Sequence, residues 1–66
     1  MSAPKIVKDY KVEVIEKNGE NYIVLTLKTE EGEERYLLEW GYFTRNLAVD
    51  IMKHNSEISV RKRYSL

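Results

Sequence analysis

The dipeptide Asn18-Gly19 constrains the fold of this chain more than any other feature of its sequence. A two-residue type I′ hairpin turn needs positive φ at both central positions, and Asn and Gly tolerate positive φ best. A turn there aligns six apolar residues of the flanking runs in three cross-strand pairs: Tyr10 with Leu27, Val12 with Leu25, and Val14 with Ile23. All six would lie on one face, so the turn predicts a hairpin and its apolar side.

A second turn is predicted in the acidic segment 30–33, because this segment is polar and contains Gly32. With Glu31-Gly32 as the central residues, the apolar face would continue onto a third strand in three further pairs: Leu27 with Tyr36, Leu25 with Leu38, and Ile23 with Trp40. The predicted strands cover residues 5–17, 20–29 and 34–40 and form an antiparallel meander. A one-residue slip would invert every side chain, so two turns that predict one face support each other.

Gly41 breaks the third strand, and from residue 42 to about residue 55 the apolar spacing becomes helical, as at Phe43, Leu47 and Ile51. Asn55 is a plausible helix stop because Asn tolerates the left-handed conformation. Alternation returns over residues 57–66 and predicts a fourth strand with four apolar residues on one side: Ile58, Val60, Tyr64 and Leu66. This strand would lie beside the first strand or, alternatively, at the edge of the third.

The sequence therefore predicts an α+β fold of order β-β-β-α-β, with the helix packed on one face of the sheet. Residues 1–5 are expected to be a flexible N-terminus, and residues 6–66 a single domain. The chain has 66 residues and no cysteine, which excludes disulfides and thiolate metal sites. No apolar run reaches the ~18 residues of a membrane span. We expect a soluble, cytoplasmic protein.

The charge composition argues against a general nucleic-acid coating protein. Eleven Lys and Arg residues balance eleven Asp and Glu residues, whereas such a protein is normally basic. A third of the residues are charged and amides are few, which favours a thermophilic source, although mesophilic proteins can share this composition.

The second face of the predicted sheet carries the first candidate site. Ile15, Tyr22, Val24 and Leu37 fall on this face among charged residues. An apolar patch with a charged rim is typical of a surface that docks another protein or a second copy. The alternative is that these residues simply fill strands, because small proteins expose much apolar surface.

The basic run Arg61-Lys62-Arg63 is the second candidate site. On a strand, Arg61 and Arg63 would point the same way and could bind two phosphates or an acidic partner. The competing interpretation is a charged edge strand that discourages aggregation. This run supports an alternative function, nucleic-acid binding or an accessory role in nucleic-acid processing.

Catalysis has little support in the sequence. His54 is the only histidine, and the three glycines are each explained by a turn rather than by a phosphate-binding loop. No metal site is predicted, because zinc needs several convergent N, S or O ligands. We expect a protein without enzymatic activity or cofactor, acting as an accessory subunit or inhibitor that binds through its open sheet face or an edge strand.

Overall fold

Three strands are followed by one long helix in this computed structural model, which describes residues 3–64 and the side chains of residues 3–63. The elements are β1 (Asp9–Lys17), β2 (Glu20–Thr29), β3 (Gly32–Glu39) and α1 (Tyr42–Tyr64). The strands form one antiparallel sheet in the order β1-β2-β3, so β2 is central and the other two are edges. The α+β class and the meander are confirmed. Met1 and Ser2, part of the predicted flexible N-terminus, lie outside the described residues.

The first hairpin has the predicted turn and the predicted register. Asn18 and Gly19 have φ values of +53° and +80°, so both central positions carry the positive φ of a type I′ turn. All three predicted pairs are present: Tyr10 opposite Leu27, Val12 opposite Leu25, and Val14 opposite Ile23. The local turn chemistry is therefore sufficient to set the alignment of β1 and β2.

The second hairpin turns one residue earlier than predicted. Its loop is Glu30-Glu31, and Thr29 lies opposite Gly32. The Glu31 N–H donates to Thr29 Oγ1 at 3.1 Å, and this hydroxyl donates to the Gly32 carbonyl at 3.2 Å. The positive φ of +131° thus falls on Gly32 just after the loop. Each β2 residue therefore pairs with a β3 residue two positions earlier than predicted, with Leu25 opposite Tyr36 and Ile23 opposite Leu38. A shift of two residues keeps the β3 side chains on the predicted face.

The segment predicted as a fourth strand is helical, and this prediction is corrected. α1 continues through Asn55 to Tyr64, and Leu66, the last residue of the predicted strand, lies outside the described residues. The helix contains no Gly or Pro to end it at Asn55. His54 Nδ1 lies 3.2 Å from Glu57 Oε2, one turn apart across the predicted break. The basic residues of the last turn also favour the helix because they face the negative end of its dipole.

The predicted packing of the helix on the sheet is not found within residues 3–64. There, α1 comes close only to β3, the strand that it follows. At 100° per residue, Phe43, Leu47, Ile51 and Ile58 fall within about 80° of the helix surface, and Tyr42, Val49 and Val60 lie about 150° away. Ala48 and Met52 lie between these two groups, so the apolar residues are spread around the helix rather than gathered on the single broad face that usually holds a helix on a sheet.

The resulting shape is extended. The radius of gyration is 15.4 Å and the longest dimension is 53 Å. A compact domain of this length would have a radius of gyration of about 11 Å. Val24 is the one buried hydrophobic residue of the described chain. The chain therefore forms a well-aligned sheet without the helix-covered core that its apolar pattern predicts.

Candidate protein-binding surfaces

Within residues 3–64, α1 does not cover the side of the sheet that the sequence marks as the core. We call it the apolar face, and by strand alternation its apolar residues are Tyr10, Val12, Val14, Ile23, Leu25, Leu27, Tyr36 and Leu38. Glu34 lies on the same face, opposite Leu27. Val14 is 73% exposed and Tyr10 is 68% exposed, whereas Leu25 on the central strand is half-buried. A set of exposed apolar side chains this large is typical of a surface that contacts another protein.

The opposite side, which we call the mixed face, holds the four residues predicted as a docking site. Ile15 lies opposite Tyr22, and Val24 lies opposite Leu37, so the register brings the four together. Their exposure differs sharply, because Val24 is 1% exposed, Leu37 is 51% exposed, and the other two are half-buried. Val24 is therefore the buried member of the cluster, and Leu37 is its most accessible member.

Charged residues surround this cluster on the mixed face. The register places Glu13 opposite Val24, on the side away from Leu37. Lys11 Nζ lies 3.3 Å from Glu13 Oε1, so their side chains form an ion pair along β1. Thr26, next to Val24 on the same face, is also buried although it is polar. Long side chains on the edge strands can cover a central strand in this way through their aliphatic stems.

The N-terminal segment is tied to the far end of the sheet. The Lys8 N–H donates to the Lys28 carbonyl at 2.7 Å, extending the hydrogen bonding beyond β1. Lys5 Nζ lies 2.8 Å from Glu34 Oε1 and 3.5 Å from Glu31 Oε2. Lys5 therefore reaches β3 although β2 separates β1 from β3.

Lys5, Glu34 and Tyr36 form one exposed hydrogen-bonded group. The Tyr36 hydroxyl donates to the second oxygen of Glu34. Hydrogen bonds from Lys5 and then Tyr36 lower the pKa of Glu34. The hydrogen bond to Glu34 also raises the pKa of Lys5 and the pKa of Tyr36. This group was not predicted from the sequence, because Lys5 and Glu34 are 29 residues apart and meet only when the meander has formed.

The second predicted site, Arg61-Lys62-Arg63, lies in the last turn of α1. At 100° per residue, the side chains of Arg61 and Arg63 point about 160° apart around the helix. The two arginine side chains therefore do not share the common direction expected on a strand, and this arrangement does not favour joint binding of two phosphates. Their placement at the helix C-terminus agrees with a favourable interaction with the helix dipole.

The described part of the chain contains no grouping of three or more His, Cys, Asp or Glu side chains that could hold a metal ion. Among residues 3–64, no helix combines the length and the apolar character needed to cross a membrane. The chain was compared with protein-family models, curated proteins and solved structures, and none of these comparisons finds a match.

Proposed function

We propose that this protein is a small, non-enzymatic, cytoplasmic protein-binding module, an accessory subunit or inhibitor of a larger protein or assembly. The observation that carries the proposal is the half-exposed side chain of Leu37, beside Tyr22 and Ile15 on the mixed face. Leucine side chains exposed to this degree gain free energy when a partner removes them from water. Tyrosine is enriched at the centre of such contacts.

The construction of the mixed face suits a docking platform. Val24 and Thr26 of the central strand are already buried, so a partner would contact the more accessible side chains around them. Glu13 lies on the same face opposite Val24, and Lys11 forms an ion pair with it along β1. An apolar centre with a charged margin is the common anatomy of a protein interface.

The sheet offers a second mode of binding, strand addition at an edge. β3 is an edge strand, so one row of its backbone N–H and C=O groups faces outward. A partner strand that pairs with β3 would lie next to Leu37 and would extend the mixed face. Main-chain hydrogen bonds would supply affinity, and the mixed-face side chains would supply specificity.

Affinity capture from a native lysate with mass spectrometry tests this function. The baits are the wild-type chain, Leu37→Ser, and the control Arg35→Ser, which alters an exposed residue of the same strand and face. We expect wild type and Arg35→Ser to recover the same partner and Leu37→Ser to lose it. Circular dichroism checks that each bait is folded. Tyr22→Ser serves as a fourth bait. If all four baits recover the same partners, the mixed face is not the interface.

A further inference from the structure

We infer that the apolar face is covered by a second copy of this chain, with α1 of each copy lying across the sheet of the other. The contacting side of the helix would be the helix stripe, which comprises Phe43, Leu47, Ile51 and Ile58. This inference goes beyond the proposed function, because it concerns the opposite side of the sheet from Leu37. It assigns an occupant to the apolar face and to the helix stripe, which do not pack on each other within residues 3–64.

The accessible area of the chain is the first argument for a second copy. The chain exposes 6368 Å², whereas a compact monomer of 7.8 kDa is expected to expose about 4,400 Å². The excess is roughly 2,000 Å² for each chain, or roughly 4,000 Å² for two. Obligate homodimers bury about 2,000–5,000 Å² in total. The surface left open by one extended chain is thus the amount that a stable dimer needs.

The junction between sheet and helix is the second argument. Only Trp40 and Gly41 separate β3 from α1. The Gly41 carbonyl accepts the Arg45 N–H at 3.0 Å and the Thr44 hydroxyl at 3.3 Å. Gly41 has a φ of +102°. These contacts anchor the start of α1 on Gly41, and within residues 3–64 the helix comes close only to β3, which leaves the helix stripe for another molecule.

The helix stripe is long enough to cross the apolar face. It spans about 22 Å from Phe43 to Ile58, and the apolar face spans about 13 Å along β2 from Ile23 to Leu27. His54 and Arg61 lie within the same roughly 80° of helix surface as the four apolar residues. Ile51, near the middle of the stripe, is 61% exposed. In a two-fold dimer, each chain would supply one helix and receive one helix. This reciprocal exchange would close the assembly at two copies and leave no apolar face to recruit further chains.

Two measurements test this inference. Light scattering over a concentration series gives the mass of the assembly. Disulfide trapping between introduced cysteines shows which residues meet across the dimer, and the chain has no natural cysteine to interfere. Chains carrying Leu25→Cys are mixed with chains carrying Ile51→Cys, unfolded, refolded together and oxidised. The matched control replaces Ile51→Cys by Arg45→Cys, which lies about 120° around the helix from Ile51. We expect a dimeric mass and about tenfold more mixed disulfide with Ile51→Cys than with Arg45→Cys.

A third variant provides a check that does not depend on disulfide formation. Ile51→Glu alters an exposed helix position, so the helix should be retained while dimerisation weakens about tenfold or more. For the wild-type chain, the melting temperature should rise with protein concentration, and for Ile51→Glu this dependence should disappear.

Three results would overturn the inference. A monomeric mass with an intrachain disulfide in the double variant Leu25→Cys/Ile51→Cys would show that the helix closes on its own sheet. A dimer that traps Arg45→Cys as readily as Ile51→Cys would have another geometry. A monomer whose apolar face is free, or is covered only by a different protein, would remove the second copy. None of these results depends on Leu37, so the proposed function is tested separately.

Discussion

Val24 of β2 lies directly opposite Leu37 of β3, yet Val24 is 1% exposed and Leu37 is 51% exposed. The difference follows from strand order, because β2 has a neighbour on both sides and β3 has only one. A central position gains cover from both edge strands, and an edge position stays open along one side. The same alternating pattern therefore yields a structural residue and an accessible residue within one pair.

Val24→Ala should lower the free energy of unfolding more than any other single truncation on the mixed face. Removing two buried methyl groups and leaving a small cavity costs about 2 kcal/mol. Leu37→Ala removes a larger but half-exposed side chain and should cost less than about 1 kcal/mol. Urea unfolding at equal protein concentration compares the two variants. Equal losses, or a larger loss for Leu37→Ala, would contradict the burial assigned to Val24.

Gly19→Ala should destabilise the first hairpin by about 1 kcal/mol, because an L-residue with a Cβ disfavours the positive φ of +80° at this position. Apart from Gly19 and its two chain neighbours, no heavy atom of the described residues lies within 4 Å of the position that a Cβ would occupy, so a steric clash is not the cause. Asn18→Gly is the control and should retain stability within about 0.5 kcal/mol, because Gly adopts positive φ readily. Thermal unfolding of both variants measures the difference. A neutral Gly19→Ala would argue against the type I′ turn.

Lys5→Met should raise the pKa of Glu34, because the Lys5 hydrogen bond is the main cause of its lowering. Carboxyl NMR titration of Glu34 measures this change. Lys8→Met is the control, since Lys8 pairs with Glu30 at 3.6 Å and should leave Glu34 unaffected. A Glu34 pKa that does not move in Lys5→Met would show that the ion pair does not form in solution.

The same group predicts a pH window for its contribution to stability. The folded pKa of Glu34 lies below its ordinary value of 4.5, so the contribution is complete above 4.5 and is lost as pH falls through the lowered pKa. The folded pKa of Lys5 lies above 10.5, so the contribution is complete below 10.5 and is lost as pH rises through the raised pKa. The difference in stability between wild type and Lys5→Met should therefore be largest between these limits and shrink at both extremes.

Ser56→Pro should reduce the helical signal of far-UV circular dichroism, because proline in a helix interior costs about 3 kcal/mol and would separate the second half of α1 from the first. Ser56→Ala is the matched control and should maintain or increase the signal, since Ala has the highest helix propensity. If residues 57–64 were a strand, the proline would precede it and leave the helical signal unchanged.

The first hairpin was predictable because its information is local. Asn18 and Gly19 supply the positive φ values, and the apolar alternation on either side agrees with the turn they form. The exact pairing of β2 with β3 was not predictable from the sequence. The hydrogen bonds of the Thr29 hydroxyl accompany a loop at Glu30-Glu31, one residue before the loop that Gly32 suggests. A shift of two residues keeps every side chain on its face, so the sequence pattern cannot distinguish the two alignments.

By itself, the sequence determined one sheet with an apolar side, because turn chemistry and alternation act over a few residues. The tertiary structure decided that residues 57–64 extend the helix and that α1 leaves the apolar face uncovered. Short alternation is compatible with either a strand or a helix, and the outcome depends on whether a neighbouring strand supplies hydrogen bonds. Whether a helix covers a sheet likewise depends on the direction in which the chain leaves its last strand, and residue patterns do not encode this direction.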